Sequence, residues 1–301
     1  MNWDQALRIL QPLRATQPAR SSPVGELTLL HRAHAPSICV ASGKGGTGKS
    51  VVSAAFATLS SEHGRTLLVD ADLGVGNAHL MQDVQPRLTL VDVVRGRAAA
   101  AAALTACTPG LDLLAGGSGV SQMASLAPAE LARIAHGIEE LDAGYDTLVV
   151  DSAAGISEQT LAFAAAADVV VIVTTPDPTA MTDAYAFLKV LFARKRDACA
   201  DLIVNRVFDE EDGPRTALRI ENVCQKFLGR GVRYVGAIPE DREVVRSVGR
   251  RQCVVTADPR SPAATALREV WRRVSEELSV LPHHGLGRSL EASCATVLPR
   301  T

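Results

Sequence analysis

Short runs of apolar, β-branched residues recur along the chain, and each stops at a polar residue, a glycine or a proline. Ser37-Ile38-Cys39-Val40-Ala41 leads into a glycine-rich turn, Thr66-Leu67-Leu68-Val69 ends at Asp70, Leu111 to Leu114 runs into Ala-Gly-Gly, and Thr147 to Val150 ends at Asp151. Farther on, Val169 to Val173 precedes Thr-Thr-Pro, Leu202 to Val204 ends at Asn205, and Tyr234 to Ile238 ends at Pro239. Nearly continuous apolarity over so few residues is the pattern of strands covered on both faces. Segments of helical spacing lie between them. Val51 to Leu59 is one, and Leu267, Val270, Trp271, Val274 and Leu278 form the stripe of a last core helix. Strand alternating with helix predicts an α/β fold with a doubly wound, mostly parallel sheet flanked by helices. Ligands of such sheets bind beyond the carboxyl ends of the strands, so the residues just after each run are the candidates for chemistry.

The first strand end carries Gly43-Lys44-Gly45-Gly46-Thr47-Gly48-Lys49-Ser50, which fits G-x-x-x-x-G-K-[ST] between a strand and a helix that begins around Val51. Closely spaced glycines let successive backbone N–H groups point at phosphate oxygens, Lys49 can reach the β- and γ-phosphates, and the Ser50 hydroxyl can ligate Mg²⁺. A nucleoside triphosphate with Mg²⁺ is the expected ligand. Asp70 and Asp72 follow the second run, and Asp151 with Ser152-Ala153-Ala154-Gly155 follows a later one. An apolar run ending in aspartate is how a carboxylate reaches the water shell of magnesium. Helix N-capping is the competing role, and for Asp70 the two readings stand level. Asn205 offers a donor and an acceptor to a base edge, or equally to a turn.

Composition narrows the classes. A chain of 301 residues with 47% hydrophobic content can bury a full α/β core. A net charge of −2 gives no global attraction to nucleic acid or anionic lipid. The six cysteines are scattered with no C-x-x-C pair, which argues against zinc, iron–sulfur and disulfide frameworks and suits reduced cytosolic cysteines. The start has no secretory pattern, and the apolar stretch Leu161 to Val173 is broken by Asp168 and too short to span a bilayer. The expected location is cytoplasmic.

Lys44, directly after the first glycine, gives the loop the string KGGTGKS, which resembles the deviant Walker A motif of the MinD/ParA ATPases. The resemblance implies ATP as the nucleotide, a homodimer formed on ATP binding, and Lys44 crossing the interface to the partner's nucleotide. The D-x-D and D-x-x-x-G strings resemble the two switch loops of that group. By that resemblance Asp72 positions or deprotonates the attacking water, Asp151 is the Walker B residue, and Asp70 assists the magnesium site. Asn205-Arg206 and Ile238-Pro239-Glu240-Asp241 resemble the segments that frame adenine, which adds Arg206, Pro239 and Asp241 to the expected nucleotide contacts.

Longer strings resemble a narrower family. Asp70-Ala71-Asp72-Leu73-Gly74-Val75-Gly76-Asn77-Ala78-His79, Gly116-Gly117-Ser118-Gly119, Asp151 to Ser157, and above all Pro176-Asp177-Pro178-Thr179-Ala180-Met181-Thr182-Asp183-Ala184-Tyr185 are similar to the flagellar number regulators FlhG, also called FleN or YlxH. That likeness implies a MinD-like ATPase that dimerises around ATP, separates after hydrolysis, and limits how many flagella are built and where. The partners it implies are the signal-recognition-particle-type GTPase FlhF, a FleQ-like flagellar transcription regulator or switch and C-ring proteins, and the inner membrane.

Three parts are expected: an N-terminal helix and linker over 1–35, the ATPase domain over 36–281, and a tail over 282–301. Asp4-Gln5-Ala6 matches the start of the FlhF-activating motif of the family, but the Leu7-Arg8 pair follows two residues early. Trp3, Leu7, Leu10 and Arg14 lie at helical spacing, as an activating helix or as a stripe docked on its own domain. Leu286, Leu290, Cys294 and Val297 repeat the pattern with few cations, Arg288 and Arg300, so a weak peripheral membrane contact is expected. A ParA-like DNA or cargo partitioning ATPase, or a MinD-type division-site regulator, is the alternative. For DNA, Arg242, Arg246 and Arg250 with Arg194-Lys195-Arg196 would form the basic patches, though charge runs are usually solvated surface and nucleic acid is not the expected partner. A tyrosine kinase of this loop type would want a tyrosine cluster near the terminus, and none follows Tyr234.

Overall fold

The computed structural model describes residues 34–117 and 126–295, with side chains as far as Ser293. The N-terminal stripe with Asp4-Gln5-Ala6, the pair Ser118-Gly119, and the tail positions Cys294, Val297 and Arg300 fall outside what it describes, in whole or in side chain. The described elements are, in order, β1 (Ser37–Ser42), α1 (Lys49–Ser61), β2 (Thr66–Asp70), α2 (Ala78–Met81), α3 (Leu90–Val94), β3 (Leu104–Thr108), β4 (Leu111–Leu114) and α4 (Pro128–Asp142). They continue as β5 (Thr147–Ala154), α5 (Glu158–Ala166), β6 (Val169–Thr174), α6 (Pro178–Arg194), β7 (Cys199–Val207), α7 (Asp212–Leu228), β8 (Arg233–Pro239), α8 (Arg242–Gly249), α9 (Val254–Ala257), α10 (Pro262–Val280) and α11 (Leu286–Ala295).

The strands form one sheet in the order β3-β4-β2-β5-β1-β6-β7-β8. All neighbouring pairs run parallel except β3 with β4. Every residue of β1, β2 and β6 is buried, the physical reason their sequences are apolar without alternation. β3 is the strand that the hydrophobic pattern did not predict. It lies at an edge, is only partly covered, and reads Leu-Thr-Ala-Cys-Thr, so it lacks the continuous apolar signal of its neighbours.

Helices cover both faces. On one, α1 and α10 pack together, with the rings of Phe56 and Trp271 tilted and 5.3 Å apart. On the other, α4, α5, α6 and α7 bury Ile134, Phe163, Phe187 and Ile220. Leu286 and Leu290 of α11 belong to this second core and are fully buried. Gly287 allows the approach: a Cβ there would meet the Ala135 carbonyl oxygen at 2.6 Å. The first half of the tail's apolar stripe is therefore packed on its own domain. Chain direction reverses about β1, with β5, β2 and β4 on one side and β6, β7 and β8 on the other, which places a crevice at the carboxyl end of β1.

Candidate nucleotide site

β1 ends in the glycine loop, and α1 starts at Lys49. Gly46 and Gly48 take left-handed backbone angles, φ +81° and +94°, which a side chain would strain. Gly43 is required for a different reason: its position faces the backbone of α6, and a Cβ would lie 2.1 Å from the Asp183 carbonyl oxygen. Asn205, at the end of β7, donates through Nδ2 to the Thr47 carbonyl at 2.7 Å. The Thr47 hydroxyl is buried with no hydrogen-bond partner among the described residues, which fits a loop shaped for an anionic oxygen that enters with a ligand.

Beneath the loop, Lys49 is buried with its ammonium 3.5 Å from Asp151 Oδ1, and the Ser53 hydroxyl donates to the same oxygen at 3.0 Å. Asp70 and Asp151 are register partners on β2 and β5. Burial raises the pKa of both carboxyls, and Asp70, facing Asp151 as well, is pushed up to about 8. Lys49, Ser50 and Ser53 pull Asp151 back down. Two buried carboxylates side by side, with a serine hydroxyl at hand, suit a hard divalent cation with oxygen ligands.

The competing structural roles of the aspartates coexist with this. Asp70 accepts from the Asp72 N–H and from the Ala78 N–H that opens α2, each at 3.1 Å, although Asn77 is the cap residue. Asp72 Oδ1 accepts from the N–H groups of Gly74 at 3.3 Å and Val75 at 3.0 Å, a turn that shapes its own loop.

A cavity of about 370 Å³ opens beside Gly48, lined among others by Val51, Asn205, Arg206, Pro239 and Asp241. Its walls are mostly apolar, which suits a planar base. The Asp241 carboxylate faces inward to the fold, capping α8 at Glu243 N and accepting from Ala263 N, so it contributes shape more than hydrogen bonds. Arg206 holds φ +60° and its Nε donates to Glu240 at 2.6 Å on the rim. Sequence reading missed Val244, Val245 and Val248 of α8, which complete the wall. Their helical spacing after Asp241 was the available signal, and the intervening arginines drew attention to the other face.

Lys44 behaves differently from Lys49. Its half-exposed ammonium rests on Thr179 Oγ1 at 2.5 Å and lies 3.6 Å from Asp177 Oδ1. The hydrogen bond from Thr179, with others from the start of α6 and the charge of Lys44, holds the Asp177 carboxyl at about 2. No local pattern of residues signals this contact. Of the cations weighed for DNA, three are engaged within the fold: Arg194 pairs with Glu158, Lys195 donates to the Ala167 carbonyl, and Arg246 pairs with Glu243.

Residues 38–255 match the model of the CobQ/CobB/MinD/ParA nucleotide binding domain. The chain is 34% identical over 238 residues to the antiactivator FleN of Pseudomonas aeruginosa, covering 79% of this chain and 85% of that protein. It is 31% identical over 255 residues to the flagellum site-determining protein YlxH of Helicobacter pylori, covering 83% and 86% of the two chains. In structure it is similar to the septum site-determining protein MinD of Pyrococcus horikoshii OT3, determined with Mg-ADP, at a TM-score of 0.70 and 25% identity over 82% of this chain and 98% of that one. A glycine loop on β1, paired strand-end carboxylates and a base-sized cavity are thus found in a sequence with these relatives, and the chain belongs to the MinD/ParA family of nucleotide-binding P-loop proteins, in its FlhG/FleN branch.

Proposed function

We propose that the chain is a Mg²⁺-dependent ATP hydrolase that works as a dimerising switch, setting the number and placement of flagella. The observation that carries the switch is the state of Lys44. Its ammonium is turned away from the buried Lys49–Asp151 pair and rests at the surface on Thr179 and Asp177. Loops at the same carboxyl edge of the sheet expose large apolar residues: Val75 is 67% exposed, Ile156 49% and Phe208 80%. A cation and apolar side chains on one rim are what a second copy of the chain would cover.

In this reading the loop N–H groups from Gly43 to Ser50 and the Lys49 ammonium hold the triphosphate. Ser50, Asp70, Asp72 and Asp151 would hold Mg²⁺, which when bound would neutralise phosphate charge. Asp72 orients the attacking water and takes its proton as the water oxygen bonds to the γ-phosphorus; the bond to the bridging oxygen breaks and ADP leaves with the electron pair. Lys44 of each chain exchanges Thr179 and Asp177 for the partner's γ-phosphate, and closing the rim excludes water, which strengthens every charge interaction inside. Loss of the γ-phosphate removes the shared contact and the chains part.

FlhF and a FleQ-like regulator or switch protein are the proposed partners of the ATP-bound form. Contact with the inner membrane would draw on the tail, and with Leu286 and Leu290 packed inward it is weak unless α11 leaves its seat. The first test is Lys49→Ala, expected to abolish ATP binding in calorimetry. Unaltered affinity would remove the site assignment.

A further inference from the structure

One buried amide stands next to the proposed reaction without a part in it. Gln159 lies in the first turn of α5, just after the Asp151–Gly155 segment, and is 8% exposed. Its Nε2 donates to the Ala71 carbonyl at 3.1 Å, while its Oε1 is buried with no hydrogen-bond partner among the described residues. Ala71 is the residue between Asp70 and Asp72, and its own N–H donates to the Asp151 carbonyl at 2.9 Å. The backbone that carries both aspartates is thus fastened at a single residue from two sides, by β5 and by α5.

Chemistry fixes the orientation of the amide. A carbonyl can only accept, so the group facing Ala71 is the NH₂, and the acceptor oxygen is left over in a dry place. Unmade hydrogen bonds of buried groups are costly, and an apolar side chain of similar length would fill the space without one. The turn that presents Gln159 is itself held: the Ser157 hydroxyl caps it at Thr160 N, and Glu158 pairs with Arg194 at 2.7 Å. The amide is therefore a rigid strut between the loop after β5 and the loop after β2.

We propose that Gln159 is a positioning residue for phosphoryl transfer: by holding Ala71 it sets where Asp72 stands relative to the attacking water. This rests on the assignment of Asp72 to that water. It acts on the rate of the chemical step and leaves the ATP-binding loop, which it does not touch, unchanged.

The test compares basal Mg-ATP turnover and ATP affinity of the full chain as wild type, Gln159→Met and Gln159→Glu. Methionine fills a similar volume without a donor, and kcat is expected to fall about tenfold with the ATP Kd within about twofold of wild type. Glutamate cannot donate to Ala71 as a carboxylate but can as a neutral acid, and burial raises its pKa. The ratio of its kcat to that of wild type is therefore expected to climb as pH falls from about 8.5 to about 6 with the ATP Kd flat across that range, whereas a general loosening of the site by the buried charge would weaken ATP binding at high pH as well. An unchanged kcat in Gln159→Met, a loss of affinity equal to the loss of kcat, or a Gln159→Glu ratio flat with pH would each overturn the proposal. If the methionine variant does not fold, the pH ratio decides alone. A wild type without turnover would overturn the proposed function as well, whereas an active wild type matched by Gln159→Met would sink this inference only.

Discussion

Replacing Gly43 by alanine tests how the phosphate loop is seated. The added Cβ would lie 2.1 Å from the Asp183 carbonyl oxygen, 2.3 Å from its carbonyl carbon and 2.8 Å from its Cβ. The first two are backbone atoms in the middle of α6, so no side chain can swing away. Ordinary contact begins near 3.4 Å, which means that loop and helix must part by roughly 1 Å, an overpacking that costs about 1–3 kcal/mol. For a domain of this size a 2 kcal/mol loss lowers the melting temperature by about 4–8 °C. Gly45 is the control, because a Cβ there meets nothing within 4 Å and its backbone is not left-handed. Thermal unfolding without nucleotide is expected to show the full drop for Gly43→Ala and a change within about 1 °C for Gly45→Ala. Equal melting temperatures for Gly43→Ala and wild type would refute the packing of the loop on α6, and with it the route by which Lys44 reaches Thr179.

Other outcomes follow from single contacts. Asn205→Ala removes the donor to the Thr47 carbonyl and a wall of the base cavity, and ATP affinity is expected to fall roughly tenfold by calorimetry; an unchanged Kd would count against both roles. Asp70, with its carboxyl moved from 3.8 to about 8 by burial and by Asp151, binds its proton more tightly folded than unfolded. In chelator, stability is therefore fully present below the lower value and lost as pH rises toward the upper one; Asp70→Asn is expected to flatten the melting curve series over that window, and a wild type whose stability rises across it would contradict the assignment. Asp201 is fully buried and gripped by Arg233 at 2.8 and 2.7 Å. Arg233→Ala is expected to cost about 3 kcal/mol in urea unfolding, the low end for a broken buried pair because Arg233 is itself 41% exposed, and a loss under about 1 kcal/mol would show that water already solvates Asp201.

The strands buried on both faces were legible because a parallel core leaves no polar alternation, and their carboxyl ends pointed to the glycine loop and the aspartates before any geometry was known. The string around Lys44 and the Pro-x-Pro-Thr segment carried the family. Edge strand β3 was hidden by its partial exposure, and the α8 wall of the cavity by the charged residues interleaved with its valines. The contacts of Lys44 with Asp177 and Thr179, of Asn205 with Thr47, and of Gln159 with Ala71 join residues far apart in the chain. No local periodicity encodes them; they arise where the sheet brings several strand ends to one edge. The seating of Leu286 and Leu290 is of the same kind, since a helical stripe specifies that something must be covered without naming what covers it.

In the proposed switch, ATP joins two chains through Lys44. Its most direct test is the molar mass in solution of Asp72→Ala with saturating Mg-ATP, beside the same protein carrying Lys44→Ala as well. A mass of two chains that returns to one on removing the lysine is expected; a single-chain mass for Asp72→Ala at saturation would contradict the switch.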